Sequence, residues 1–138
     1  MRTRVRRFAH VLERLGLAMA GAASGLFVAA HVGSSIAALT SQAFILVMMI
    51  AGATGFYLGI DTPPQPLAGP DRERKVDAAE LLSALGTFLA ALAAFASVTV
   101  IVLREELPVA GTVLIMAAWV VGVTMQTVAG AIARMRSS

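Results

Sequence analysis

Charged residues interrupt this chain at only a few places, and the segments between them are almost wholly apolar. No charged residue lies between Leu15 and Ile60, between Leu81 and Leu103, or between Leu107 and Ala133. A helix that crosses the hydrocarbon core of a bilayer needs about 20 apolar residues, at a rise of about 1.5 Å each. The first segment is therefore long enough for two crossings, and each of the other two is long enough for one.

The breaks in the apolar pattern predict where the crossings begin and end. Gly33-Ser34-Ser35 is the turn-like cluster inside the first segment, and the stretch from Arg104 to Pro108 separates the last two crossings. Because a helix satisfies its own backbone hydrogen bonds in lipid, we expect an all-α polytopic membrane protein of one domain, 1–138, with four transmembrane helices as two antiparallel hairpins in a compact bundle. The predicted spans cover about 11–32, 37–60, 78–103 and 108–133.

The longest polar segment, 61–76, lies between the two predicted hairpins. It is rich in proline, which stiffens a chain toward an extended polyproline conformation, and it is too short to form a domain. Asp77 and Glu80 follow it in the spacing of a capping arrangement, which indicates that the third helix begins near residue 78.

The composition agrees with a membrane protein. Hydrophobic residues make up 58% of the chain and charged residues 14%, with a mean hydropathy of +0.82, whereas soluble domains average roughly 45–50% and about 25%. The absence of cysteine excludes a disulfide scaffold and a zinc site with cysteine ligands.

The distribution of positive charge predicts the orientation. Of the 11 Lys and Arg residues, all except Arg104 lie at one end of the predicted bundle. Since short cytoplasmic loops collect such residues, we expect a bacterial inner membrane protein with both termini in the cytoplasm. Without an aromatic platform beside them, the arginines indicate lipid rather than nucleic acid as their partner. The predicted membrane-surface anchors are Arg2, Arg4, Arg6, Arg7, Arg14, Arg72, Arg74, Lys75, Arg134 and Arg136.

A basic start followed by an apolar run is also typical of a cleaved signal peptide. The apolar run here continues well beyond the 7–15 residues of such a signal. We therefore expect the first helix to be a membrane span.

Each predicted helix carries a stripe of small or mildly polar residues at helical spacing. Small residues let helix backbones approach closely in lipid, so these stripes predict helix packing within the chain, with self-association as the alternative. The stripes consist of Glu13, Ala20, Ser24 and His31, then Ser41, Met48, Gly52, Gly55 and Gly59, then Glu80, Ser83, Thr87, Ala91 and Ala94, and finally Thr112, Trp119, Gln126 and Gly130. The predicted packing glycines are Gly21, Gly25, Gly52, Gly55, Gly59, Gly122 and Gly130.

Ionisable residues inside membrane spans are candidates for function. Here they lie near the ends of the predicted spans, where interfacial anchoring or helix capping is the usual role. The sharper hypothesis is a proton or substrate path along Glu13, Ser24, His31, Glu80 and Thr87. Glu13 and His31 are separated by about 27 Å of helix, which is close to the thickness of the hydrocarbon core.

The sequence contains no pattern that indicates a cofactor or a catalytic site. His10 and His31 are predicted at opposite ends of one helix, so they cannot ligate one haem or one metal ion. No serine has a histidine and an acid at motif spacing, and no glycine loop indicates a phosphate site. We expect no cofactor and no enzymatic activity.

These observations favour a small integral membrane protein without catalytic chemistry. We expect an accessory or assembly subunit of a larger membrane complex, or a homo-oligomeric scaffold. The alternative is a small proton-coupled transporter or channel that acts as an oligomer, and the pattern also allows a pore-forming protein.

Overall fold

The fold was analysed in a computed structural model that describes residues 2–59 and 78–138, apart from the side chains of Arg2 and Ser137. This part of the chain is helical, with a short 3₁₀ turn at Ala37–Leu39. The predicted loop at 61–76, its anchors Arg72, Arg74 and Lys75, and Asp77 lie outside the described residues. The helices are α1 (Arg2–Ser35), α2 (Gln42–Gly59), α3 (Ala78–Leu103) and α4 (Val109–Ser137).

The predicted fold class is confirmed. All four helices are long and apolar enough to cross a membrane, and they pack as a bundle in which α1 lies mainly against α2 and α3 mainly against α4. We call the end where α1 begins and α4 ends the terminal end. The opposite end, which contains the connections 36–41 and 104–108, is the hairpin end.

The turn predicted at Gly33-Ser34-Ser35 is wrong, because these residues complete the last turn of α1. Ser34 Oγ donates a hydrogen bond to the carbonyl oxygen of His31 at 2.7 Å, which satisfies a carbonyl near the helix end. α1 also begins at Arg2, well before the span predicted at 11–32. The helix extends beyond the predicted span because the arginines that precede it are good helix formers.

The chain reverses between α1 and α2 over residues 36–41. Ser41 Oγ accepts a hydrogen bond from the backbone N–H of Phe44 at 3.2 Å, so Ser41 is the N-cap of α2. The serine cap explains why α2 begins at Gln42 and not at 37, where the apolar pattern placed it.

The reversal between α3 and α4 depends on an arginine in the left-handed region. Arg104 has a φ of 54°, its N–H bonds the carbonyl of Ile101, and the N–H of Glu105 bonds the carbonyl of Val100. This pair of bonds is the Schellman arrangement, in which glycine usually occupies the left-handed position. α4 then begins directly after Pro108.

Glycines determine how closely the helices approach in the first hairpin. A methyl group on Gly21 would overlap the carbonyl of Gly52, and one on Gly25 would overlap the carbonyl of Met48. The backbones of α1 and α2 are therefore in contact, with no side chain between them.

The second hairpin packs in the same way. A methyl group on Gly86 would meet the carbonyl oxygen of Gly122, and one on Gly122 would meet the backbone nitrogen of Ala90. Across the hairpins, Gly130 of α4 lies against the backbone of Leu58 of α2. These glycines therefore pack helices of the same chain against one another.

The interior is composed largely of small side chains, and large apolar side chains cover the outside. In α3 the buried residues are Ala79, Ser83, Gly86, Ala90, Ala93, Ala94 and Ser97, whereas Phe88 and Phe95 are exposed. Trp119 is the largest fully buried side chain among the described residues. An apolar exterior of this kind suits a lipid environment.

Candidate functional site

The centre of the bundle contains a short hydrogen-bonded chain between α1 and α4. Trp119 Nε1 donates to Ser24 Oγ at 3.1 Å, and Ser24 Oγ donates to the carbonyl of Gly21 at 2.7 Å. Trp119 also lies against Gly52, where a methyl group would meet its ring. The indole N–H of Trp119 and the hydroxyl of Ser24 are both buried and hydrogen-bonded. This cluster therefore joins α1, α2 and α4 and does not present an unpaired polar group to a ligand.

His31 lies one to two helical turns nearer the hairpin end and is less completely bonded. Its Nε2 is 3.4 Å from Thr112 Oγ1, while its Nδ1 is buried with no hydrogen-bond partner in the described structure. The side chain is 1% exposed. His31 thus lies near the end of α1, and its imidazole is inside the bundle.

Gln126 lies in α4 about two helical turns from Trp119, in the direction of the terminal end. Its Nε2 donates to Thr87 Oγ1 at 2.8 Å, and Thr87 Oγ1 donates to the carbonyl of Ser83. Gln126 Oε1 is buried without a partner in the described part of the chain, and Gly55 lies so close to it that a methyl group there would make contact. Ser83 Oγ in turn donates to the carbonyl of Gly59 at 3.0 Å.

Along the described part of the bundle, cavities lie at three successive levels. The smallest, of about 170 Å³, lies near the terminal end beside Leu17, Thr87 and Gln126. The second is an apolar groove of about 420 Å³ between α1 and α3, which we call the seam groove. Its wall includes Ala20, Ala23, Ala91 and Ala94, with Phe27 and Phe95 beside them.

The third cavity is a cleft of about 480 Å³ at the hairpin end, which we call the hairpin-end cleft. It differs from the seam groove in being lined by charged and polar side chains, with His31 in its wall. The other polar residues that line it are Ser34, Ser35, Arg104, Glu105 and Glu106. The two carboxylates are exposed, so the cleft leads from solvent or headgroups to a buried imidazole.

The structure distributes the five candidate path residues over the length of the bundle. Ser24, His31 and Thr87 each line a different cavity. Glu13 is exposed and Glu80 is half-buried, and no hydrogen bond joins these two carboxylates within the described residues. Ser24, His31 and Thr87 therefore line separate cavities and not one continuous polar channel.

The stripe predicted for the third helix lies only partly on the buried face, with Ser83 and Ala94 buried. Thr87 and Ala91 are exposed, whereas Gly86 and Ala90 are buried. The buried residues recur at alternating steps of four and three, beginning at Ala79. This heptad of small residues was the available signal, and it would have identified Gly86 as a packing glycine.

The stripe predicted for the fourth helix is buried throughout, whereas the stripes of the first two helices mix buried and exposed residues. Ser24, His31, Met48, Gly52, Gly55, Thr112, Trp119, Gln126 and Gly130 are buried. Ala20, Glu13 and Ser41 are exposed. The two predicted packing glycines of α1, Gly21 and Gly25, are buried beside the stripe.

Tyr57 organises the positive charge at the terminal end, and sequence reasoning missed it. Arg14 Nη1 donates to the Tyr57 hydroxyl at 3.3 Å, and the guanidinium groups of Arg14 and Arg134 lie 5.2 and 5.9 Å from the ring centroid. Arg14 Nε also donates to His10 Nε2 at 3.1 Å. The remaining described anchors, Arg4, Arg6, Arg7 and Arg136, are exposed.

Within the described ranges, no group of three or more His, Asp or Glu side chains is placed to hold a metal ion. No family model, no curated protein and no solved structure matches this chain. The cavities and the polar groups beside them are therefore the features that bear on function.

Proposed function

We propose that this protein is a non-enzymatic accessory subunit of a larger membrane complex, and that the seam groove receives one transmembrane helix of a different protein. The observation that carries the proposal is the alanine-lined wall of the groove, with Ala20 and Ala91 exposed in it. Small residues at a helix surface permit the close approach on which helix association in lipid depends.

The glycine contacts support an outside partner for the groove. Gly21, Gly25, Gly86 and Gly122 are already covered by backbone of the same chain, so they are not available for self-association. The groove between α1 and α3 is the large apolar depression that intrachain packing leaves unfilled in the described part of the bundle.

The shape of the groove favours a different protein over a second copy. In a twofold dimer the same surface meets itself, and two concave surfaces would leave a void between them. A single convex helix fills such a groove, with Phe27 and Phe95 at its border. The homo-oligomeric scaffold is therefore the weaker form of the proposal.

The proposal is tested by extracting the tagged protein from its native membranes in mild detergent and measuring its mass and composition. A stoichiometric second membrane protein is expected, and Ala91→Leu together with Ala20→Leu should remove it by filling the groove. Ala117→Leu on α4 is the matched control, because Ala117 is exposed and does not line the groove. Recovery of the chain alone or as a pure homo-oligomer would contradict the proposal.

Proton-coupled transport is the second candidate, and the three cavities that Ser24, His31 and Thr87 line are the observation that favours it. The apolar lining of the seam groove argues against it, since a proton path needs water or polar groups throughout. In liposomes, a transporter would lose its flux in Glu13→Gln and His31→Ala variants. Wild-type flux in both variants would exclude this path.

A further inference from the structure

We propose that the hairpin-end cleft binds a primary ammonium group carried on a short apolar chain. This inference is independent of the subunit function, because it concerns the other end of the bundle and a different cavity. It rests on three features of the cleft: a buried hydrogen-bond acceptor, two carboxylates at the entrance, and an apolar wall.

The buried acceptor is the imidazole of His31. When its proton is on Nε2, that nitrogen donates to Thr112 Oγ1, 3.4 Å away, and Nδ1 presents a lone pair. Nδ1 has no partner in the described structure although the side chain is 1% exposed. A buried polar atom without a partner is costly, so a ligand that donates to Nδ1 would remove that cost.

The charge at the entrance selects a cation. Glu105 and Glu106 both line the cleft, against one guanidinium from Arg104. The described residues record no hydrogen bond or ion pair for either carboxylate. α3 ends at Leu103, and the left-handed φ of Arg104 turns the chain directly before the two glutamates.

The remaining wall distinguishes an organic cation from a metal ion. Val100, Ile101, Leu107 and Val109 contribute apolar surface, which a bare divalent cation would not use. The described residues do not group three metal-ligating side chains. The volume of about 480 Å³ lies within the usual range for small-molecule pockets.

An ammonium group has three N–H donors and no acceptor, which matches the set of acceptors in the cleft. His31 Nδ1 and the Glu105 and Glu106 carboxylates would accept from it, and the hydroxyl oxygens of Ser34 and Ser35 offer further lone pairs. The apolar chain would lie against Val100 and Leu107. A primary ammonium group occurs in soluble alkylamines and, on a two-carbon link to the phosphate, in the headgroup of phosphatidylethanolamine.

The two histidines of the chain make the test direct. With ¹³C-labelled histidine, the protein in detergent micelles gives one imidazole signal from His31 and one from His10, which is exposed at the opposite end and serves as an internal reference. A His10→Gln variant assigns the two signals. Titration with n-hexylammonium should shift the His31 signal saturably and leave the His10 signal unchanged, whereas the neutral analogue 1-hexanol, which lacks the charge, should bind much more weakly.

A Glu105→Gln, Glu106→Gln double variant should weaken the binding of n-hexylammonium by about tenfold or more. Both positions are exposed, so the fold should be retained, and the matched control is the double variant Glu13→Gln, Glu80→Gln. An equal response to 1-hexanol, or unchanged affinity in the Glu105 and Glu106 variant, would overturn the proposal.

Nanodiscs distinguish the two sources of the ammonium group. If a lipid headgroup is the ligand, the His31 signal is already shifted in phosphatidylethanolamine nanodiscs, compared with phosphatidylcholine nanodiscs, and n-hexylammonium adds little. If the ligand is soluble, the His31 signal is the same in both lipids and n-hexylammonium shifts it in both. A His31 signal that responds to neither lipid nor amine would contradict the proposal.

Discussion

Arg104 illustrates how one residue can carry both a structural cost and a possible role. A left-handed conformation costs a residue with a side chain roughly 1–2 kcal/mol, and glycine adopts it freely. Glycine at this position would end α3 in the same Schellman arrangement without that cost. The arginine is therefore the exception to the usual chemistry of helix ends, and it stands directly beside the hairpin-end cleft.

We expect Arg104→Gly to raise the free energy of unfolding by about 0.5–1 kcal/mol, since the relief of the left-handed backbone is partly offset by the greater freedom of glycine in the unfolded chain. Chemical unfolding in mixed micelles measures the change. Arg104→Ala is the control, because it removes the side chain and keeps the unfavourable φ. Equal stability of the two variants would show that the backbone conformation is not the cause.

The hydrogen bond between Trp119 and Ser24 can be measured as a pairwise coupling. Trp119→Phe and Ser24→Ala each remove one partner of the bond between Nε1 and Oγ, and the double variant removes both. We expect a coupling energy of about 0.6 kcal/mol, with about 1.7 kcal/mol as an upper value for such bonds in membranes. A coupling energy near zero would mean that the bond does not contribute to the stability of the bundle.

At the scale of the helices, the glycine contacts determine which pairs of elements form. Because a methyl group on Gly21 or Gly86 would overlap the backbone of the neighbouring helix, the two hairpins depend on the absence of side chains there. Gly130 makes a similar contact across the hairpins, with Leu58. Packing between helix backbones thus replaces the hydrophobic driving force that lipid does not provide.

Substitution of these glycines by alanine should separate packing from helix propensity. We expect Gly21→Ala and Gly86→Ala each to lower the free energy of unfolding by about 1–3 kcal/mol, the usual cost of overpacking. Gly16→Ala is the matched control, since nothing lies within 4 Å of the added methyl, and it should raise stability by about 0.5–1 kcal/mol. A loss of stability in Gly16→Ala equal to that in Gly21→Ala would refute the packing explanation.

The elements themselves were largely predictable, and their rotation and ends were less so. Charge-free length predicted four helices, because the cost of a charge in lipid leaves few other arrangements. The end of α1 was not predicted, because Gly33 and Ser34 are compatible with both a turn and a helix end, and in the structure Ser34 bonds the carbonyl of His31 within the last turn of the helix. The buried face of α3 was identified only in part, at Ser83 and Ala94, because alanines lie on both faces of that helix.

The candidate site was less predictable than the fold. His31 and Ser24 stand out in the sequence as polar residues in apolar helices, but the unpaired Nδ1 depends on the packing of α4 against α1. The hairpin-end cleft joins residues near 31–35 to residues near 100–109, and no local pattern reveals that neighbourhood. Tyr57 was overlooked because its role depends on arginines from two other helices.

At the scale of the whole molecule, the orientation in the membrane is open to a direct test, since the chain contains no cysteine. Single cysteines at Ala38, in the hairpin-end connection, and at Ser138, at the terminal end, are both exposed. With cytoplasmic termini, an impermeant maleimide added to spheroplasts should label Ala38→Cys but reach Ser138→Cys only after lysis. The reverse pattern would contradict the orientation inferred from the arginines.

The small side chains in the interior of the bundle also determine which amino-acid substitutions this sequence can tolerate. In a water-soluble protein, large apolar residues fill the inside, and truncating them is the main hazard. Here, replacement of an interior residue by a larger one is the hazard, because there is no room for a larger side chain at positions such as Gly86 and Ala90. The large side chains of Phe88 and Leu92 face outward. A saturation-mutagenesis map should therefore show tolerance that falls with side-chain volume on one face of each helix and depends only on polarity on the other.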